Sequence, residues 1–165
     1  EAGADAVLLV DPYYNGPSSV EIRKEYLSPV AAAFPDITII PYVIPGRTGA
    51  QLFPEDLALV FRDHPNVNTV KEATGNLDNM RRTRKCCGPE YTIFSGDDGL
   101  TVEMMSDPEI AAAGAISVVS NIAPRAMSDL IRLLAENEMK AARTLADALN
   151  PLFGLVTVNT MEKTP

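Results

Sequence analysis

The run NVNTVKEATGNLDNMRRTRKCCGPEYTIF, residues 66–94, decides the fold. It opens with a short buried strand over Asn66–Val70, centred on Val67–Val70, and carries Lys71 where that strand runs out. Asn76 is a good helix cap, and Leu77–Lys85 reads as the helix it starts, ended near Gly88-Pro89. Tyr91–Phe94 is the next apolar strand. Neither strand alternates polar with apolar residues, as expected of parallel strands buried on both faces.

The same unit recurs on either side. Asp5–Val10 is a continuous apolar strand cut off by Asp11-Pro12. Ser18–Phe34 is helical in pattern, with Ser18 and Glu21 at capping-box spacing and Pro29 placed to kink or split it. Ile37–Ile40 is a strand, followed by Pro41-Tyr42 and a turn at Pro45-Gly46, and Pro54 starts a helix that ends near Arg62. Beyond Tyr91–Phe94, closed by Ser95-Gly96-Asp97-Asp98, a helical piece covers Leu100–Met105. Gly114–Val119 is the fifth strand, and two helices fill Pro124–Glu136 and Glu138–Val156. Repeated βα units predict an α/β fold, either a (β/α)8 TIM barrel or a doubly wound sheet. No G-x-G-x-x-G fingerprint follows any strand, which argues against a dinucleotide site.

A barrel of this type takes about 250 residues and eight units, against 165 residues and five units here. Glu1-Ala2-Gly3-Ala4-Asp5 reads as a helix end running into a strand, and Met161-Glu162-Lys163-Thr164-Pro165 provides no closing element. The expectation is a fragment lacking the first three βα units. Residues 1–123 would supply strands four to eight with their helices, and 124–165 an incomplete C-terminal helical part. Such a piece leaves sheet edges and helix faces uncovered and should fold poorly alone.

With 46% hydrophobic residues and no Trp, the chain can bury one core. A formal net charge of −8 argues against a nucleic-acid partner, and no apolar run reaches the roughly 20 residues needed to span a bilayer. Cys86 and Cys87 are adjacent, which suits neither a disulfide staple nor a zinc site. They fit a reducing, cytoplasmic interior. The lone His64 precedes Pro65 in a loop-like stretch and is most simply solvated.

Polar residues gather just past the strand ends: Tyr13, Tyr14 and Asn15; Tyr42 and Arg47; Lys71 and Glu72; Asp97 and Asp98; Ser120 and Asn121. Barrel enzymes build their sites there. Lys71 would sit against apolar walls, where desolvation disfavours the charged amine and makes it a nucleophile near neutral pH, as a Schiff-base lysine requires. An ordinary lysine leaving the sheet to pair with Glu72 would occupy the same place.

The motifs Pro12-Tyr13-Tyr14-Asn15, Tyr42 through Pro45-Gly46-Arg47-Thr48-Gly49, Lys71-Glu72-Ala73-Thr74-Gly75-Asn76, Ser95-Gly96-Asp97-Asp98 and Gly114-Ala115-Ile116-Ser117 together resemble the dihydrodipicolinate synthase family of pyruvate-dependent class I aldolases and lyases. They follow the family's order across nearly the whole chain. The resemblance implies that Lys71 captures the keto carbon of pyruvate and that Tyr42 moves protons during imine formation. It implies that Arg47 holds the carboxylate of the second substrate, aspartate semialdehyde. Gly96 and Ile116 fall at the substrate site, Ile116 through its backbone carbonyl. Tyr14 matches a tyrosine lent across a dimer interface into the neighbour's proton relay, and Tyr13 an interface residue near a feedback site. The implied assembly is a homo-oligomer, a dimer or a homotetrameric dimer of dimers, acting in lysine biosynthesis through diaminopimelate. The imine is the electron sink, so no metal or organic cofactor is expected.

The chain departs from the family in three ways. Val43 stands where the family often has Asn. The threonine pair that ties pyruvate's carboxylate belongs to a segment before this chain, and the region after Ser106 is longer and less typical. A sugar-acid or N-acetylneuraminate type aldolase would share the lysine chemistry, and a non-catalytic carboxylate-binding relative would share the fold. Each residue also has a plainer role. Tyr42 could pack its ring and bond its hydroxyl to backbone, Arg47 could solvate its turn, and Tyr13 and Tyr14 could pack at the rim. Asp97 and Asp98 look like a metal pair, but with no histidine nearby a helix-capping role is expected. Glu72 is expected to partner a neighbouring base or amide, and Met104, Met105 and Met127 to fill the core.

Overall fold

The computed structural model describes residues 3–155. Five strands, β1 (Ala6–Val10), β2 (Thr38–Val43), β3 (Thr69–Glu72), β4 (Thr92–Ser95) and β5 (Gly114–Ala115), form one sheet in that order. Every pairing is parallel. A doubly wound sheet reverses its strand order at a switch point, whereas a barrel adds each strand beside the last. The unbroken sequential order is therefore that of a barrel arc.

Helices make each return. Between β1 and β2 the chain runs through α1 (Ser19–Glu21), a π-helical turn over Ile22–Leu27 and α2 (Ser28–Ala33). The capping box forms: the Ser18 N–H donates to Glu21 Oε2 at 2.8 Å, and the Glu21 N–H donates to Ser18 Oγ at 3.4 Å. Pro29 splits the helix as expected, but through the wider turn that precedes it. Proline has no N–H to continue the α ladder, and a π turn absorbs that defect without ending the helix. The Pro45-Gly46 turn is in fact a short helix, α3 (Pro45–Thr48), which Gly49 ends at φ +67°. Then come α4 (Pro54–Asp63), α5 (Leu77–Cys87), α6 (Thr101–Ser106), α7 (Pro124–Ala135) and α8 (Met139–Leu155). The expected extension of the last helix to Val156 lies outside the described residues.

Three strands, β2, β3 and β5, depart from the sequence reading by two residues or more at one end or both. β2 runs on through Pro41 and Tyr42. In a parallel strand successive N–H groups face opposite neighbours. Ile39 N–H goes to Asn66 O, so the same side at Pro41 is where no donor exists, and the β2–β3 ladder begins only at Tyr42. β3 lies two residues later than expected because Val67 N–H is taken by His64 O in a turn. Lys71 is thus inside the strand rather than beyond it. β5 ends at Ala115 instead of Val119. Asp98 Oδ2 accepts from the N–H groups of Val118 and Val119, at 3.1 and 3.0 Å, and Ser117 Oγ accepts from Ser120, curling the chain into a 3-10 turn.

The main core lies between the sheet and helices α1–α6, with Ile22, Ile39, Leu57, Val70, Met80, Ile93 and Met104 buried. Tyr91 is wholly enclosed and donates its hydroxyl to Thr69 O at 3.1 Å, its ring 5.0 Å from that of Phe61. A second cluster joins Val102 and Val119 to Met127, Leu130, Leu134, Ala142 and Leu149 of α7 and α8, and Met105 packs against both. Met104, Met105 and Met127 therefore take the core places expected of them. The Arg84 guanidinium on α5 donates to the carbonyls of Gly88, Pro89, Tyr91, Ile110 and Ala111, gathering the starts of two strands. Among the described residues no helix is long and apolar enough to cross a membrane.

Asp11, at the end of β1, is 2% exposed and accepts from the Leu52 N–H at 3.1 Å. Burial pushes its carboxyl up to about 7 against that hydrogen bond. The raised value means the fold prefers the protonated form, so the associated stability is complete in acid and is lost as pH climbs from about 4 through about 7. Asp11→Asn removes the titration while keeping an acceptor. In urea denaturation the variant should gain on the wild type as pH rises from 5 to 8, by about 2–3 kcal/mol. A gap that stays constant with pH would refute this.

Candidate active site

Register builds the site. Tyr42 pairs with Lys71, Lys71 with Phe94 and Phe94 with Gly114. Residues side by side on parallel strands point to the same face, so these four share one face. The next row, Val43, Glu72 and Ser95, points to the other and is buried. Glu72 there accepts from Asn79 Nδ2 at 3.1 Å and from the Thr74 N–H at 3.3 Å, so it partners an amide as expected. It does not hold Lys71.

Lys71 is 6% exposed. Its Nζ lies 4.0 Å from the centroid of the Tyr42 ring, a cation–π distance. A methyl group at Gly96 would fall 3.0 Å from Lys71 Cγ and Cε and 2.9 Å from Ala73 Cβ, so the bare glycine makes room for the lysine stem. Burial lowers the pKa of the Lys71 ammonium, partly opposed by the negative charge of Asp98. Burial raises that of the Tyr42 phenol, which Arg47 lowers and Asp97 raises. Burial thus favours the neutral form of both groups, an amine beside a protonated phenol.

Beside them is a cavity of about 150 Å³ lined by Tyr42, Ile44, Arg47, Ala73, Gly96, Asp97, Asp98 and Val118. A larger groove of about 420 Å³ lies along α7, lined by Ala115, Ser117, Ser120 and Arg132 among others. Its wall has no tyrosine, whereas the smaller cavity is walled by the Tyr42 that Lys71 packs against, so chemistry rather than size identifies the site. Among the sequence candidates, Lys71, Tyr42, Arg47 and Gly96 come together. Ile116 bonds its N–H to Ser95 O at 2.8 Å and stands one step from the cavity. Tyr13 and Tyr14 do not join it; they are 70% and 91% exposed on the loop after β1.

Asp97 caps the following turn as expected, accepting from the Gly99 N–H at 3.0 Å. Asp98 does something the sequence reading missed. It reaches across to the strand-end turn after β5, with one carboxylate oxygen on two N–H groups and the other, Oδ1, buried without a partner. The signal was the doubled acid itself, since one N-cap leaves the second carboxylate without a helix N–H to accept. Cys87 is buried and its thiol pushed up to about 12, and Cys86 is likewise raised, so neither is a nucleophile near neutral pH. Among the described residues no cluster of three His, Cys, Asp or Glu side chains could hold a metal.

Comparison with known proteins places this geometry. The pattern of the dihydrodipicolinate synthetase family matches residues 1–164. The 4-hydroxy-tetrahydrodipicolinate synthase of Oleidesulfovibrio alaskensis is 39% identical over 152 residues, 92% of this chain and 50% of that protein. That of Syntrophus aciditrophicus is 38% identical, over 97% of this chain and 53% of its own. The crystal structure of dihydrodipicolinate synthase from Aquifex aeolicus superposes with a TM-score of 0.88 at 35% identity, covering 96% of this chain and 53% of that one. The chain spans about half the length of the curated relatives it matches. Matched from end to end by the family pattern and superposing on part of its members' barrels, the chain belongs to the dihydrodipicolinate synthetase family.

Proposed function

We propose that the protein to which this chain belongs condenses pyruvate with aspartate semialdehyde to 4-hydroxy-tetrahydrodipicolinate, the step that opens the diaminopimelate route to lysine. One observation carries the reading: a lysine inside a parallel strand, buried and with its ammonium destabilised, against a strand-end tyrosine. The names of the relatives supply the substrate class.

In this reading the Lys71 amine attacks the keto carbon of pyruvate. Tyr42 gives a proton to the carbinolamine hydroxyl, which leaves as water, and the C–N bond becomes a protonated imine. Loss of a methyl proton gives the enamine, whose carbon adds to the aldehyde. The amino group of the adduct then attacks the imine carbon and expels Lys71, closing the ring. The iminium takes up the pair of the methyl C–H bond and the enamine returns it to the new C–C bond, so the scheme needs no metal or organic cofactor. Arg47 offers paired N–H donors to the carboxylate of the aldehyde, and the backbone at Gly96 and Ile116 faces pyruvate. Tyr13 and Tyr14, exposed here, suit contact with a second copy, Tyr14 completing a proton relay in a homodimer or dimer of dimers. Residues 1–123 act as barrel strands four to eight with their helices, 124–165 as a C-terminal helical part. Adjacent free cysteines accord with a cytoplasmic location.

Three outcomes are expected of the protein. Pyruvate with borohydride should add one reduced pyruvyl mass to the peptide carrying Lys71, and Lys71→Arg should abolish it; a label elsewhere overturns the assignment. Tyr42→Phe should lower kcat by about 10²- to 10⁴-fold with little change in pyruvate binding, as loss of a proton-transfer group does. An unchanged kcat with a raised KM would make Tyr42 a positioning residue. Arg47→Ala should spare imine trapping and weaken condensation by about 1.5–3 kcal/mol, one charge-assisted contact. If a sugar-derived aldehyde is the better second substrate of the wild type, the sugar-acid aldolase reading replaces the synthase.

A further inference from the structure

Asp98 is 7% exposed and belongs to the wall of the Tyr42–Arg47 cavity. Its two oxygens have different surroundings. Oδ2 is held by the Val118 and Val119 N–H groups at 3.1 and 3.0 Å, which fixes the carboxylate plane. Oδ1 is the one side-chain polar atom among the described residues that is fully buried with no hydrogen-bond partner. A carboxylate that only tied the strand-end turn to β4 would be served by Oδ2 alone. Leaving the second oxygen buried and unbonded is costly, and such a group calls for a reason. The Lys71 nitrogen, 4.0 Å from the ring of Tyr42 in the same cavity wall, provides one.

We infer that Asp98 is the fixed counter-charge of the Lys71 centre, favouring the nitrogen in its cationic states, ammonium before reaction and iminium after it. The chemical part of this inference rests on the Schiff-base reading above. The two side chains form no hydrogen bond through Oδ1, so the effect acts across the cavity and through low-dielectric surroundings, where charges interact strongly. The other charged or titratable groups facing this space are Tyr42 from β2, Arg47 from α3 and Asp97 from the loop after β4. The segment after β5 contributes backbone N–H groups only through its clamp on Oδ2. Asp97 is engaged in capping Gly99, and Arg47 carries the same sign as the lysine. Asp98 is therefore the one group placed to offset burial of a positive nitrogen. The trade is chemical: the counter-charge holds back some free amine at neutral pH, and in return it stabilises the iminium that draws electrons from the methyl C–H bond as the enamine forms.

The test reads the lysine without relying on turnover. Asp98→Asn keeps a carbonyl oxygen for Val118 and Val119 while removing the charge. Competitive acetylation with acetic anhydride across about pH 6–11, read on the Lys71 peptide against those of Lys24, Lys85 and Lys140, reports when each amine deprotonates. The variant should shift the Lys71 profile to lower pH, with acetylation at pH 7 rising about three- to tenfold, the effect of losing one nearby opposite charge. Asp97→Asn should leave the profile in place. Pyruvate–borohydride trapping of Asp98→Asn should reach a lower plateau at alkaline pH, where the iminium loses its partner. An unshifted acetylation profile overturns the inference, and so does an equal shift in Asp97→Asn, which would make the effect one of overall acidity. A shifted profile in a protein that forms no pyruvyl adduct would uphold the coupling and reject the Schiff-base function. Asp98→Ala, which also loses the backbone clamp, separates the roles: a fall in thermal stability beyond that of Asp98→Asn measures the clamp alone.

Discussion

The register of the parallel ladder governs everything else in this molecule. A shift of one residue between β2 and β3 would send either Tyr42 or Lys71 to the helix-covered face and dismantle the site. Several unrelated contacts hold that register. Pro41 delays pairing until Tyr42, Ala73 N–H closes on Val43 O, and Gly96 N–H closes on Glu72 O at 2.8 Å. Glu72 is pinned on the far face by Asn79 and Thr74. The lysine's orientation thus follows from interactions made by its neighbours. It needs no hydrogen bond of its own, which leaves the amine free.

Burial then sets the electrostatics. Removing water from Lys71 and Tyr42 drives both toward their neutral forms, and the charges around them trim the effect in opposite senses. Arg47 and Asp97 act on the phenol and Asp98 on the ammonium. A small cavity with one base, one weak acid and fixed charges of both signs suits a reaction whose positive charge appears and disappears on a single nitrogen.

The fold class was legible because uninterrupted apolar strands punctuated by caps and prolines leave few architectures, and Lys71, Tyr42 and Arg47 were legible because each falls near or just past the C-terminal end of a strand. What stayed hidden was governed by side chain to backbone bonds between distant segments. β5 looks apolar to Val119, yet Asp98, some 20 residues earlier, takes the amides that would have continued it. β3 looks as if it begins at Val67, yet a turn to His64 and the three carbonyls held by Asn66 Nδ2 claim that end. Periodicity reads what a segment could be, and such long-range acceptors decide where it stops.

The Arg84 fork has a further consequence. One planar guanidinium holds the exit of α5, the approach to β4 at Tyr91 and the approach to β5 at Ile110 and Ala111. A lysine's single ammonium could not reach carbonyls spread over that span. Because both strand starts hang from the same cation, neither can fray without freeing acceptors that the other also depends on. Local unfolding in this half of the sheet should proceed as one cooperative opening, with the amides of Ile93 and of Ala112 and Ala113 exchanging on a common timescale. The cavity wall at Gly96 and Asp98, which lies between those two strands in sequence, is thus braced by an arginine at the opposite end of the strands.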